Sequence, residues 1–174
     1  MAEECVAALF LTNPIDDRAK HISFKGRVIS GICTWISKNE TYITWDGGAN
    51  RCPQLLWLSG GPGMGKTMLS IFLTQELEQR LRGSNNVLLL YYFCDGRDEK
   101  RNTAICLLRG LIFQLIQQQQ SLIKILLQEY RVQKENLFKD SSLESLWRVF
   151  ESMIRETSTK RIYCILDGLD ECKS

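Results

Sequence analysis

One histidine, His21, and three prolines are all that 174 residues supply of those two types. A lone histidine and the absence of any C-x-x-C pair among seven cysteines leave no zinc-ligand spacing. A Cys–His catalytic pair would rest on that same isolated histidine, which makes thiol catalysis a weak reading. The cysteines are Cys5, Cys33, Cys52, Cys94, Cys106, Cys164 and Cys172, an odd set that suits a reducing compartment with free thiols. Cys94 and Cys164 lie inside apolar runs, where cysteine behaves as a small hydrophobe. Long hydrophobic runs are also missing. The longest, Val87 to Cys94, falls far short of the roughly 20 residues that cross a bilayer. Met1-Ala2-Glu3-Glu4 is acidic where an export signal is basic, so a cytoplasmic location is expected. Charge of one sign is not in excess: 22 basic residues face 20 acidic ones, interspersed, for a net charge of +2. That balance gives no reason to expect a nucleic-acid or membrane partner. The length suits one domain, and 44% hydrophobic content suits a real core.

What is present is concentrated at residues 55–70. Leu55-Leu56-Trp57-Leu58-Ser59 reads as an apolar strand, and Met68 onwards as an amphipathic helix. Between them, Gly60-Gly61-Pro62-Gly63-Met64-Gly65-Lys66-Thr67 fits G-x-x-x-x-G-K-[ST], the Walker A phosphate loop. Glycines without a Cβ let backbone N–H groups turn inward around a phosphate, and the helix behind points its positive end at the same place. Lys66 supplies a charge for the β- and γ-phosphates, and the Thr67 hydroxyl a ligand for Mg²⁺. A glycine-rich turn beside a surface lysine is the plain alternative, and the strand–loop–helix context argues against it.

Before that stretch, Asn13-Pro14 marks a break, Asp16 to Lys20 a short charged helix, and Gly26 an interruption. Val28 to Lys38 has helical spacing, and residues 45–50 read as a turn cluster. After it, a helix carries Leu69, Phe72, Leu73, Leu77 and Leu81 on one stripe. Val87 to Cys94, apolar without alternation, predicts a strand buried on both faces. Helices are predicted over Thr103 to Gln117 and Leu122 to Tyr130, with Gln117 to Gln120 on a helix surface or link. Arg131 to Asp140 reads as a polar surface loop. Ser141 with Glu144 forms a predicted capping box, followed by core positions Leu143, Leu146, Trp147, Phe150 and Ile154.

Arg161 to Asp167 then reads as an apolar strand ending in a carboxylate, the Walker B pattern that carries Asp167 to Mg²⁺ at the carboxyl edge of a sheet. Alone it could be any buried strand meeting a turn; downstream of a Walker A loop the metal role is preferred. Asp170 and Glu171 add carboxylates that could orient water as a catalytic base. Strands alternating with helices predict an α/β fold with a parallel sheet.

At these residues the chain resembles the NACHT domain of STAND-type P-loop NTPases, in the nephrocystin-3-like N-terminal form of fungal NLR-like proteins. The resemblance lies in Leu55 to Leu69, Tyr163 to Cys172, Tyr92 to Asp95 with Arg101 to Ala104, and Leu108 to Ile112. Asp16 to Lys20, Lys25-Gly26 and Trp35-Ile36 resemble the family's lead-in segment. It implies a three-layer P-loop NTPase fold of the ASCE type over residues 51–174, after a helical lead-in over 1–50. It also implies ATP or ADP with Mg²⁺ at Gly60 to Thr67 and Asp167, a hydrolytic role near Asp170 or Glu171, and adenine near Gly26-Arg27-Val28. Oligomerisation with other NACHT proteins would be the output.

In the family's strand order, 5-1-4-3-2, a later strand lies between those of Walker A and Walker B. No such strand follows Asp167 in this sequence, so a truncated sheet with two unpaired apolar edges is expected. Two functions follow as expectations. One is a nucleotide-binding switch module with weak or no hydrolysis of its own, for ATP rather than GTP since no Asn-Lys-x-Asp occurs. The other is a non-catalytic interaction fragment that associates with a full-length relative.

Overall fold

In chain order the helices and strands are α1 (Ala2–Leu9), α2 (Pro14–Lys25), α3 (Glu40–Gly47), α4 (Lys66–Leu81), β1 (Val87–Phe93), α5 (Ala104–Gln118), α6 (Ile123–Gln133), α7 (Leu143–Glu156) and β2 (Arg161–Asp167). They come from a computed structural model that describes residues 1–25, 31, 33–47, 55–84 and 86–173. β1 and β2 pair in parallel, from Val87↔Arg161 to Phe93↔Asp167. Side chains alternate across a strand, so β1 feeds two cores. Leu88, Leu90 and Tyr92 pack with α1, α5, α6 and α7, whereas Leu89, Tyr91 and Phe93 pack against Ile71 and Leu77 of α4. Helices on both faces of a parallel sheet explain why β1 is apolar throughout.

Local sequence accounts for most boundaries. Pro14 opens α2, where a missing N–H does no harm, and the Asn13 side chain accepts from the Ile15 N–H at 3.0 Å. α2 then runs to Lys25, longer than the charged stretch alone suggests. Thr103 caps α5 by accepting from the Cys106 N–H at 3.3 Å. Several expectations fail. Trp45 to Gly47 end α3 rather than forming a turn. The capping box at Ser141 and Glu144 is not made: Asp140–Ser142 is a 3₁₀ turn running into α7, and the Ser142 hydroxyl donates to the Asn136 carbonyl at 2.8 Å. Residues 131–140 are no surface loop, because α6 continues to Gln133 and Leu137 and Phe138 are buried behind it. In α7 the core positions are Leu146, Val149 and Met153, while Leu143 and Trp147 are exposed. Of the helix predicted over 28–38, residues 28–30 and 32 lie outside the described residues; the others are not α-helical, with turns or bends at 31 and 33–35 and a 3₁₀ turn at Ile36–Lys38.

The strand expected at residues 55–59 does not form. The segment has no ladder partner, and Leu55 and Trp57 are 88% and 69% exposed. A strand is stable only when its backbone groups are paired, and no neighbour at this point supplies them among the described residues.

The two edges of the sheet differ. Along β1 the outer edge is closed by α5. The Gln114 amide accepts from the Tyr91 N–H at 3.1 Å and donates to the Tyr91 carbonyl at 2.9 Å. Gln118 repeats this at Leu89, with 3.3 and 2.9 Å. Two primary amides thus imitate a neighbouring strand, and the edge is blocked to any other chain. Close approach is needed for this, and Gly110 provides it: a Cβ there would lie 2.7 Å from the Tyr92 ring. Replacing Gln114 by Leu should destabilise the chain by about 1–3 kcal/mol, because two buried backbone groups lose their partners. Denaturant unfolding measures the loss, and amide exchange should localise it to Tyr91.

Arg101 holds α2 to the loop after β1. Its buried guanidinium donates to Asp98 at 2.8 Å and to Asp95 at 3.3 Å, and Asp17 of α2 stands 3.9 Å away. The hydrogen bond from Arg101 holds the Asp98 carboxyl below the ordinary carboxylate value. A carboxylate lowered in the folded state contributes stability that is present at neutral pH and is lost as pH falls through its folded value. Arg101→Met should therefore lower the melting temperature at pH 7 and flatten its fall below pH about 4. Melting curves over that range check both effects.

Candidate functional site

The glycine-rich stretch leaves the exposed segment 55–59 and turns into the first residue of α4. Gly63 and Gly65 have φ of 75° and 84°, left-handed values that a residue with a Cβ resists. Gly65 is the N-cap of α4 and has no side chain to offer, so the helix begins without a side-chain cap. Its carbonyl accepts the first helical bond, from the Leu69 N–H at 2.9 Å. The N–H groups of the first turn therefore have no intrahelical acceptor and lie at the positive end of a 16-residue helix. Lys66 spans the loop: its ammonium donates to the carbonyls of Gly60 at 2.7 Å and Gly61 at 3.2 Å. A mobile charge and a row of unsatisfied donors thus share one bend. Gly60, Gly61, Pro62, Gly63 and Met64 are exposed, and Lys66 and Thr67 are half-buried.

β2 brings its final residue to the same helix. Asp167 is 8% exposed and Ser70 9%, and the Ser70 hydroxyl donates to Asp167 Oδ1 at 3.1 Å. Ser70 lies one helical turn beyond Thr67, so the bond sets the start of α4 against the carboxyl end of β2. Sequence reading assigned Asp167 and passed over Ser70. The available signal was position: a small hydroxyl on the buried side of α4, one turn past Thr67. The Asp167 carboxylate and the Ser70 hydroxyl beside it are oxygen donors of the kind a hard cation takes.

Asp170 and Glu171 are placed differently. Gly168 turns the chain with φ of 69°, and a Cβ there would meet the Cys94 carbonyl oxygen at 3.0 Å. The 3₁₀ turn Leu169–Glu171 then carries both carboxylates at the surface. Glu171 accepts from the Gly96 N–H at 3.1 Å, in the loop after β1. No hydrogen bond or ion pair among the described residues joins Asp170 or Glu171 to Lys66 or Thr67. Residues 26–28, expected near adenine, lie outside the described residues. At the same end of the sheet, burial and the neighbouring Cys172 thiol push the Cys94 thiol up.

The arrangement defines a mixed α/β protein with a glycine-rich loop and a buried carboxylate gathered at one end of parallel strands. A family profile for the nephrocystin 3 N-terminal region matches residues 31–174. The vegetative incompatibility protein HET-E-1 of Podospora anserina is 32% identical over 169 residues, covering 97% of this chain and 12% of that protein. The chain belongs to the nephrocystin-3 N-terminal family and spans a small fraction of the length of that relative. No solved structure matches it. No helix among the described residues is long and apolar enough to cross a membrane.

Ser70→Ala should destabilise the fold by about 1–3 kcal/mol, the usual worth of a buried hydrogen bond to a charged group. Unfolding in urea measures it, and a change under about 0.5 kcal/mol, the scatter of ordinary surface substitutions, would show the bond to be incidental.

Proposed function

We propose that this chain is a nucleotide-binding segment of a NACHT-type signalling switch, taking ATP or ADP with Mg²⁺ and hydrolysing slowly or not at all by itself. The observation that carries the reading is the junction of loop and helix: uncapped N–H groups at the start of α4, with Lys66 folded across the loop. Such a helix start is a ready anion site, and the loop spelling Gly60 to Thr67 narrows the anion to a polyphosphate. Family membership and likeness to an incompatibility protein support a place in signalling, and the unpaired thiols suit the reducing cytoplasm.

In this reading the loop N–H groups and Lys66 bind and orient the phosphates. Thr67 and Asp167 would hold Mg²⁺, with Ser70 keeping the carboxylate in position. The cation, when bound, neutralises charge on the β- and γ-phosphate oxygens. Asp170 or Glu171 would orient water, and the tie from Glu171 to Gly96 argues for slow turnover until that turn shifts. ATP is favoured over GTP on the sequence alone.

A second reading, a non-catalytic module that joins a longer relative by strand addition, draws on the edges of the sheet. The β1 edge is closed by Gln114 and Gln118, while Leu166 of β2 and Leu55, Trp57 and Leu58 stand exposed. An apolar edge with no partner invites a strand from another chain.

Thermal unfolding in Mg²⁺ separates the two. A nucleotide at about a hundred times its Kd adds roughly 2.7 kcal/mol, or roughly 5–10 °C in Tm for a chain of this size. The switch reading predicts that rise in the wild type and its loss in Lys66→Ala. A melt indifferent to nucleotide, with self-association unchanged by Lys66→Ala, would favour the second reading.

A further inference from the structure

Each strand of the sheet is followed, beyond its last paired residue, by a thiol. Cys94 comes directly after β1 and is buried; Cys172 follows the Leu169–Glu171 turn and is half-buried. Their Sγ atoms are 2.9 Å apart. A disulfide needs about 2.05 Å, so less than about 1 Å of movement separates contact from bond. The backbone already holds the two residues together. The Cys94 N–H donates to the Asp167 carbonyl at 2.9 Å, and the Lys173 N–H to the Asn102 carbonyl at 2.6 Å. Thr103 and Lys173 also form a parallel bridge. The thiols therefore meet because two fixed segments hold them. The other described cysteines lack this arrangement: Cys106, for example, is engaged by Thr103 at 3.1 Å, and Cys5 and Cys33 are buried elsewhere.

We propose that Cys94 and Cys172 are an oxidisable dithiol, a modification site at which a peroxide converts the pair to a disulfide. Cys172, the more accessible thiol, attacks the peroxide oxygen. The O–O bond breaks, water leaves, and a sulfenic acid remains on Cys172. The Cys94 sulfur then attacks the Cys172 sulfur; the S–OH bond breaks and the hydroxyl departs as water with the Cys94 proton. Two thiols lose two electrons and two hydrogens, and one hydrogen peroxide becomes two waters. Cys94 is the resolving thiol, shielded from solvent and within reach. The bond would fasten the turn that carries Asp170 and Glu171 to the end of β1. Any effect on nucleotide turnover rests on the function proposed above; the bond itself does not.

The test treats the whole chain with hydrogen peroxide, blocks free thiols with iodoacetamide, and maps a non-reduced digest by mass spectrometry. The expected product joins the Cys94 and Cys172 peptides, with two hydrogens fewer, and returns to free thiols in dithiothreitol. Oxidised chain should melt several degrees higher, since the bond closes a loop of 78 residues. In Cys172→Ser, Cys94 should stay a thiol at the same peroxide dose. The proposal is overturned if both cysteines are alkylated after peroxide treatment, if Cys172 proceeds to sulfinic acid with Cys94 still free, or if the cross-link joins other cysteines. Nucleotide binding, measured on the same samples, judges the switch reading separately. A cross-link without binding would leave the dithiol standing and remove the switch.

Discussion

The parallel pairing of β1 with β2 is the constraint on which everything else depends. Seven residues of each strand align from Val87↔Arg161 to Phe93↔Asp167. That register delivers Asp167 to the level of Phe93, sets the thiols of Cys94 and Cys172 beside each other, and presents the carboxyl end of β2 to Ser70, one turn into α4. A shift by one residue would turn every side chain of β2 to the opposite face. Asp167 would then leave Ser70, and Tyr163 would leave the core it shares with Leu89 and Tyr91. Two hydrophobic clusters on opposite faces guard against that shift, since each accepts only its own alternate residues.

How far the chain could be read from sequence followed how local each signal was. The apolar run of β1, the α5 boundary at Thr103 and the break at Asn13-Pro14 depend on neighbours in sequence, and all were legible. The glycine-rich turn into a helix was legible because its spelling carries its geometry: left-handed glycines, then a helix with no side-chain cap. The failures have tertiary causes. Residues 55–59 have strand composition, yet a strand needs a partner that composition cannot supply. Leu137 and Phe138 sit in a polar stretch, and their burial depends on stacking with Tyr130 and on α7, which periodicity does not reveal. The glutamines were legible only as polar helix residues. Gln114 and Gln118 become structural because α5 lies close to β1, at a distance allowed by Gly110. Ser70 was missed for a like reason: its role is a hydrogen bond across 97 residues of sequence.

The edges of the sheet give it a direction. On the β1 side two amides occupy the backbone groups that a further strand would need, so growth there is blocked. On the β2 side Leu166 is exposed, and of segment 55–59 Leu55, Trp57 and Leu58 are exposed while Leu56 packs against Ile36, Tyr42 and Leu73. The glycine-rich loop follows that segment, held there by Leu56, and is anchored by α4 at its other end. The Ser70–Asp167 bond adds a polar tie to the packing of α4 on the sheet. Whatever pairs with segment 55–59 would stiffen the loop from the other end. The thiol pair and Glu171 make the matching ties on the far side of Asp167.

The central claim is that the start of α4 and the end of β2 form one site for a polyphosphate with Mg²⁺. Amide hydrogen exchange tests it most directly, comparing the chain alone with the chain in Mg²⁺ and ADP, beside Lys66→Ala. The account predicts slower exchange in residues 60–69 and 166–171, absent in the variant, with the amides of β1 unchanged. Protection confined to other segments, or an identical pattern in Lys66→Ala, would contradict it.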